Sequence, residues 1–131
     1  MLAAGYGSRL RPLTSFVPKP LLPIGGQPVV GHTLRRLARA GCEAAALNLH
    51  HLAETIPRAL GESYWGLPLV YSHELEILGT LGALWPLRDF LRRADVILLA
   101  NGDSLCRWPL RRLVRHHLES AADATLLLHA R

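Results

Sequence analysis

Short apolar runs of β-type composition alternate along the chain with stretches whose apolar residues recur at helical spacing. Met1–Ala4 reads as the end of a strand, followed by a glycine- and proline-rich loop through Pro28. Val30, Leu34, Leu37, Ala38 and Gly41 then fall on one helical face, with Arg35, Arg36 and Arg39 opposite. Ala44–Leu49 predicts a buried strand. Leu52–Leu60 predicts a helix, which Pro57 kinks unless it falls in the first turn. Pro68–His73 predicts another strand, and Thr80–Leu91 an amphipathic helix interrupted or started by Pro86. Asp95–Ala100, DVILLA, is the clearest buried-strand pattern in the sequence. Pro109–Leu118 opens a helix with proline in its first turn, and Ala124–His129 closes as a strand.

Strands alternating with helices predict right-handed βαβ units, hence an α/β fold with a mostly parallel sheet and helices on both faces. Ligands of such sheets bind beyond the carboxyl ends of the strands. The loops to watch therefore follow Ala4, Leu49, His73 and Ala100. No internal repeat or low-complexity linker interrupts the 131 residues, which fit one domain.

Half of the residues are hydrophobic and 19% are charged, the balance of a soluble globular chain. No apolar run approaches the roughly 18–20 residues of a membrane span, and Met1–Gly5 is too short for a secretory h-region. Cys42 and Cys106 lack CxxC spacing, so a reduced, cytoplasmic setting is expected. The net charge of +5 raises the question of nucleic acid. Its distribution answers differently. Residues 1–42 contain no acid yet carry Arg9, Arg11, Lys19, Arg35, Arg36 and Arg39. A compact positive region suits a small phosphate compound, and no aromatic-interleaved stripe or zinc-finger spacing supports a duplex. Of 15 basic residues only Lys19 is lysine, in the most motif-like stretch. Its ammonium is a compact point charge that arginine does not copy.

Gly5-Tyr6-Gly7-Ser8-Arg9 directly follows the first strand. Glycines there let backbone N–H groups approach phosphate oxygens, although an ordinary tight turn has the same composition. A P-loop needs a terminal Gly-Lys-Ser/Thr, which is absent. A dinucleotide fingerprint needs a third glycine, where Leu10 stands, and an acid about 20 residues on. The first acid is Glu43. Both motifs fail.

What remains is LAAGYGSRLRPLT over residues 2–14 and PKPLLPIGG over residues 18–26. This string strongly resembles the signature of the sugar-1-phosphate nucleotidyltransferase family, and the resemblance continues through Gly79-Thr80 and Asn101-Gly102-Asp103. It implies a Rossmann-like nucleotidyltransferase fold and the reaction NTP + sugar 1-phosphate → NDP-sugar + pyrophosphate, with Mg²⁺ as cofactor. It also implies that Leu2, Ala3, Ala4, Gly5, Gly7 and Ser8, with Gly79, Thr80, Asn101 and Gly102, bind the nucleotide. Arg9 and Lys19 would be the catalytic phosphate-holding groups, and Asp103 the metal ligand. NLHHLAETI, LGTLGAL and NGDSL look most like the mannose-1-phosphate guanylyltransferase or N-acetylmuramate-1-phosphate uridylyltransferase branch. Family members continue past the position of Arg131 into segments that bind the sugar and supply a second carboxylate. Residues 1–131 are thus expected to be the nucleotide-binding part of a single domain, truncated at the C-terminus. The competing class is a non-catalytic nucleotide-binding or regulatory domain of the same fold.

The chemistry of the residues agrees. Attack on an α-phosphorus demands charge neutralisation and in-line positioning. Arg9 can grip phosphate oxygens bidentately. Lys19 can bring two phosphates together, and Asp103 at a strand end can hold Mg²⁺ with phosphate oxygens. Its alternative is a turn or N-cap aspartate. Ser8 has no motif-linked His/Asp partner, so a phosphate-loop role is preferred to a nucleophile. His50, His51 and His73 lack a spaced third ligand for zinc, though His50 or His51 can line a base pocket. Glu74 and Glu76 are expected in a solvated loop, with a ribose or base contact as the alternative. Arg111, Arg112, His116 and His117 are expected on an exposed helix face. Trp65, Trp85 and Trp108 are expected to pack rather than to stack on bases.

Overall fold

A computed structural model describes residues 1–107 and 109–128. Trp108 and the His129 end of the expected last strand lie outside the described residues. Three 3₁₀ turns, Ser8–Leu10, Leu13–Ser15 and Lys19–Leu21, carry the chain out of the glycine loop. A two-stranded hairpin follows, β1 (Pro23–Ile24) and β2 (Gln27–Pro28). Next come α1 (Val29–Ala40), β3 (Ala45–Leu49), α2 (Thr55–Leu60), β4 (Ser63–Tyr64) and β5 (Leu67–His73). The short helices α3 (Gly79–Gly82) and α4 (Arg88–Leu91) precede α5 (Leu110–Ser120).

The sheet is mostly parallel. β3 pairs with β5 in parallel from Ala45↔Leu69 to Leu49↔His73, and β4 adds an antiparallel edge. On the other side of β3, Leu2 forms parallel bridges to both Asn48 and Asn101. Its N–H donates to the Ala100 carbonyl, and the Gly102 N–H donates to the Leu2 carbonyl, each at 2.9 Å. The spatial order is therefore Asn101, Leu2, β3, β5, β4. The carboxyl ends of Met1–Ala4, β3 and β5 lie side by side.

All five residues of β3 are buried, as expected of a central strand covered on two faces. Leu47 and Leu49 meet Val30, Leu34 and Leu37 of α1, Ile56 and Leu60 of α2, and Leu67 and Leu69 of β5 in one core that also takes in Leu110 of α5. Each fully buried leucine there stabilises the fold by about 1.5–3 kcal/mol relative to an exposed one. The helix α1 ends at Gly41, whose φ of 100° lets the chain turn off the helix. Pro57 is the third residue of α2, in the first turn, so its missing N–H removes no helical hydrogen bond. No helix among the described residues is long and apolar enough to cross a membrane.

The structure differs from the sequence pattern in four places. The expected helix Thr80–Leu91 is two short pieces, because Pro86 between them lacks an N–H and crowds the carbonyl of Gly82. Asp95–Ala100 forms no ladder along its length, and Ile97 and Leu99 are 50% and 46% exposed. Only its end, Ala100–Asn101, finds a partner, the backbone of Leu2. Ala124–Leu128 is likewise without a ladder, with Leu126 and Leu128 exposed. Trp65 and Trp85 do not pack in the core. Both are exposed, beneath the guanidinium groups of Arg35 at 5.3 Å and Arg88 at 5.1 Å. On α5, Arg111, Arg112 and His116 are exposed as expected, and Arg111 also donates to the Arg39 carbonyl at the end of α1.

Candidate functional site

The glycine loop takes its shape from residues that stand outside it. Gly7 has φ 61°, a left-handed conformation, and a Cβ built on it would lie 2.8 Å from Thr14 Cγ2 and 3.2 Å from Lys19 Cβ. Thr14 is 1% exposed, and its hydroxyl donates to the Gly7 carbonyl at 2.8 Å. The same carbonyl accepts from the Leu10 N–H at 2.9 Å, which starts the 3₁₀ turn bearing Ser8 and Arg9. His51 Nε2 donates in turn to the Thr14 carbonyl at 2.7 Å. His50 Nδ1 donates to the Glu74 carbonyl at 2.8 Å, and its Nε2 accepts from the Tyr6 hydroxyl at 2.9 Å. The two histidines after β3 thus buttress the loop. Among the described residues there is no group of three or more His, Cys, Asp or Glu side chains placed to hold a metal ion.

The second half of the site comes from far along the chain. Lys19 Nζ donates to Asp103 Oδ2 at 2.6 Å, with both side chains about one-third exposed. The Ser104 hydroxyl donates to Asp103 Oδ1 at 3.3 Å. Partial burial by itself pushes the Asp103 carboxyl up, but the hydrogen bond and charge of Lys19, helped by Ser104, hold it below the usual carboxylate value. Asp103 is therefore an anion next to a cation, at the rim of a cavity of about 200 Å³.

That cavity is lined by Leu2, Ala3, Gly5, Gly7, Ser8, Arg9, Lys19 and Asp103, with Leu10 and Pro20. Eight of the residues singled out from the sequence thus surround one space. Ala4 is buried beneath it. Asn101 and Gly102 do not line the cavity: they pair with Leu2, and a Cβ on Gly102 would come within 3.1 Å of the Leu2 carbonyl. The close approach that this glycine permits is strand to strand. Gly79 and Thr80 open α3 on an exposed surface and do not line the cavity.

Glu74 corrects the expectation of a solvated loop. It is 6% exposed, whereas Glu76 is exposed as expected. Its Oε1 accepts from Asn48 Nδ2 at 2.8 Å and its Oε2 from the Leu78 N–H at 3.0 Å. Asn48, 5% exposed, uses its Oδ1 to accept from the Ala3 N–H at 2.7 Å. Sequence reasoning passed over Asn48 and Thr14. The signal for Asn48 was present, a lone amide within the apolar run AALNL, since a buried amide needs partners.

Comparison with known proteins follows the same lines. A family model described as nucleotidyl transferase matches residues 1–131. The mannose-1-phosphate guanyltransferase of Pichia angusta is 37% identical over 130 residues, covering 97% of this chain and 36% of that protein. The catalytic subunit beta of the Drosophila melanogaster mannose-1-phosphate guanylyltransferase is 34% identical over 131 residues, covering 98% and 36%. The chain therefore spans about a third of the length of these relatives. Among solved structures, a Bacillus anthracis protein assigned as a glucose-1-phosphate thymidylyltransferase, in complex with sucrose, superposes with a TM-score of 0.82 at 26% identity. It covers 90% of this chain and 48% of its own. HddC from Yersinia pseudotuberculosis complexed with GMP-PN gives a TM-score of 0.73 at 25% identity, covering 90% and 52%.

Proposed function

The chain belongs to the nucleotidyl transferase family, and from that membership we propose that residues 1–131 are the nucleotide-binding part of a single sugar-1-phosphate nucleotidyltransferase domain. The reaction is attack of a sugar 1-phosphate oxygen on the α-phosphorus of a nucleoside triphosphate. A new P–O bond forms, the α–β bridging bond breaks, and pyrophosphate departs. Relatives named for guanine and mannose favour GTP and mannose 1-phosphate as the pair. A nucleic acid or a membrane surface is not the partner in this reading, and the cytoplasm is its setting.

The observation that carries the proposal is the meeting of Lys19 and Asp103, 84 residues apart in sequence, at the mouth of the glycine-loop cavity. Arg9, exposed on the cavity wall, supplies a planar fork for the oxygens of the departing pyrophosphate. Lys19 supplies a point charge between the α-phosphate and the incoming sugar phosphate. Backbone N–H groups of Gly5–Ser8 approach phosphate without side-chain obstruction. One partly exposed carboxylate at the cavity rim fits Mg²⁺, which takes one or two carboxylates and completes its shell with phosphate oxygens and water. Asp103 would hold the ion, and the ion would neutralise phosphate charge.

Calorimetric titration with GTP and Mg²⁺ tests the reading. Saturable binding of the nucleotide, with no competition from a duplex oligonucleotide, is the expected result. Binding of the duplex without binding of the nucleotide would overturn it.

A further inference from the structure

We propose that Asn48 and Glu74 are a pair of positioning residues that lock the Ala3 side of the nucleotide site to the turn before Gly79, and so set its affinity for the nucleoside part of the ligand. The inference rests on the nucleotide-binding reading above. Three segments meet here, Met1–Ala4, β3 and β5, all at their carboxyl ends. Backbone bridges join Leu2 to Asn48, and the Glu74 N–H donates to the Leu49 carbonyl at 2.8 Å. The side chains then cross the strands. Ala3 N–H reaches Asn48, Asn48 reaches Glu74, and Glu74 reaches Leu78 N–H, in one unbroken series of 2.7, 2.8 and 3.0 Å. Ala3 lines the cavity and Leu78 immediately precedes Gly79, whose φ of 73° begins α3. The series therefore ties together two loops that local sequence does not connect.

The polarity of this series is fixed. A backbone N–H points inward from each end, so the two side chains between must present three acceptors and one donor. Asparagine with glutamate meets that requirement, its amide giving the single donor. Glu74→Gln alone leaves two donors facing each other. Asn48→Asp alone leaves two carboxylate oxygens facing each other. The double variant Asn48→Asp/Glu74→Gln again has three acceptors and one donor, with the donor moved to the other residue. Because both sites are buried, a mismatch cannot be relieved by water at low cost.

The experiment titrates wild type, both single variants and the double variant with GTP–Mg²⁺ and, separately, with tripolyphosphate–Mg²⁺. Tripolyphosphate carries the phosphates but no nucleoside, and so reads the Gly5–Arg9, Lys19 and Asp103 side alone. Each single variant should weaken GTP by roughly tenfold or more, as expected for one mismatched buried hydrogen bond, and leave tripolyphosphate unchanged. The double variant should return GTP affinity to within about threefold of wild type, a recovery that conserved hydrogen-bond polarity predicts. A merely structural pair would instead lower both affinities together, or neither. Wild type that binds GTP, with single variants that bind it equally or a double variant no better than the singles, overturns this inference and leaves the proposed function standing. Wild type that binds neither probe overturns both.

Discussion

Lys19 Nζ and Asp103 Oδ2 lie 2.6 Å apart, a cation and an anion in direct contact at the cavity rim. A pair so exposed contributes little to stability, on the order of 0–1 kcal/mol. In the proposed function its value is electrostatic preparation. The ammonium keeps the carboxyl ionised, and the carboxylate keeps the ammonium aimed at the cavity. In that function Lys19 would meet the phosphate oxygens of a triphosphate, and Asp103 would hold the Mg²⁺ that neutralises them.

The first prediction concerns Lys19. Where turnover is assayed, Lys19→Ala should lower the rate of pyrophosphate release by far more than it lowers nucleotide affinity, because its charge matters most when two phosphates approach. Lys19→Arg should not restore the rate, since the guanidinium fork differs in size and geometry. Steady-state kinetics set beside calorimetry checks this. A Lys19→Ala variant with most of the wild-type rate would return Lys19 to an ordinary loop residue.

Gly7 gives the second. An alanine there meets a φ of 61° that costs roughly 1–2 kcal/mol, together with Thr14 Cγ2 at 2.8 Å. Thr14 is held by its own hydrogen bond to the Gly7 carbonyl and by His51, so it has little room to give way. Gly7→Ala should lower the melting temperature and weaken nucleotide binding together. Gly5→Ala, where a Cβ meets nothing within 4 Å, should leave the melting temperature nearly unchanged. Thermal melts of the two variants make the comparison.

The third contrasts two leucine-rich patterns that look alike in sequence. Leu34 is fully buried in α1, and Leu34→Ala should cost about 2–5 kcal/mol. Ile97, in DVILLA, is 50% exposed, and Ile97→Ala should cost less than about 1 kcal/mol. Urea denaturation of the 131-residue protein measures both. Equal costs would mean that Asp95–Ala100 is a core strand after all.

That contrast explains how far the sequence could be read. Helix α1, strand β3 and all of β5 but Leu67 were legible because their periodicity and burial are set by contacts within a few turns or by a strand with neighbours on both sides. DVILLA was misread because apolar composition reports a strand's tendency, whereas a ladder also needs a partner of matching length. The gathering of Gly5, Gly7, Arg9, Lys19 and Asp103 around one cavity was legible through the family resemblance of the motifs that carry them. The burial of Glu74 was not. Its environment is made by Asn48, 26 residues earlier on a neighbouring strand, and by the Leu78 N–H of its own turn, and apolar patterning reports neither contact. The exposed, paired states of Trp65 and Trp85 depend on arginines whose position only the folded helices determine.

The last prediction concerns Asp103 and has two arms, pH and metal. Its carboxyl is held below the usual carboxylate value in the folded protein, chiefly against the upward push of burial, by the Lys19 hydrogen bond and charge. Folding then favours the ionised form. The stabilising contribution is fully present above the unfolded carboxylate value of 3.8 and is lost as pH falls through the lower folded value. Lys19→Met removes the principal cause, so the acid limb of the stability curve should move to higher pH. At neutral pH, Asp103→Asn keeps the shape of the side chain and a hydrogen-bonding oxygen while removing the charge that attracts Mg²⁺. It should leave the melting temperature within a few degrees of wild type, as an exposed ion pair of about 0–1 kcal/mol implies. Mg²⁺-dependent nucleotide binding should weaken by roughly tenfold or more, the effect expected of losing a charged ligand at a phosphate site. If Asp103 were only a turn or cap residue, asparagine would replace it almost equivalently, and both measurements would be unchanged. Melting temperature and Mg²⁺-dependent GTP titration on the same two proteins separate the cases, and unaltered Mg²⁺ dependence would remove Asp103 from the site.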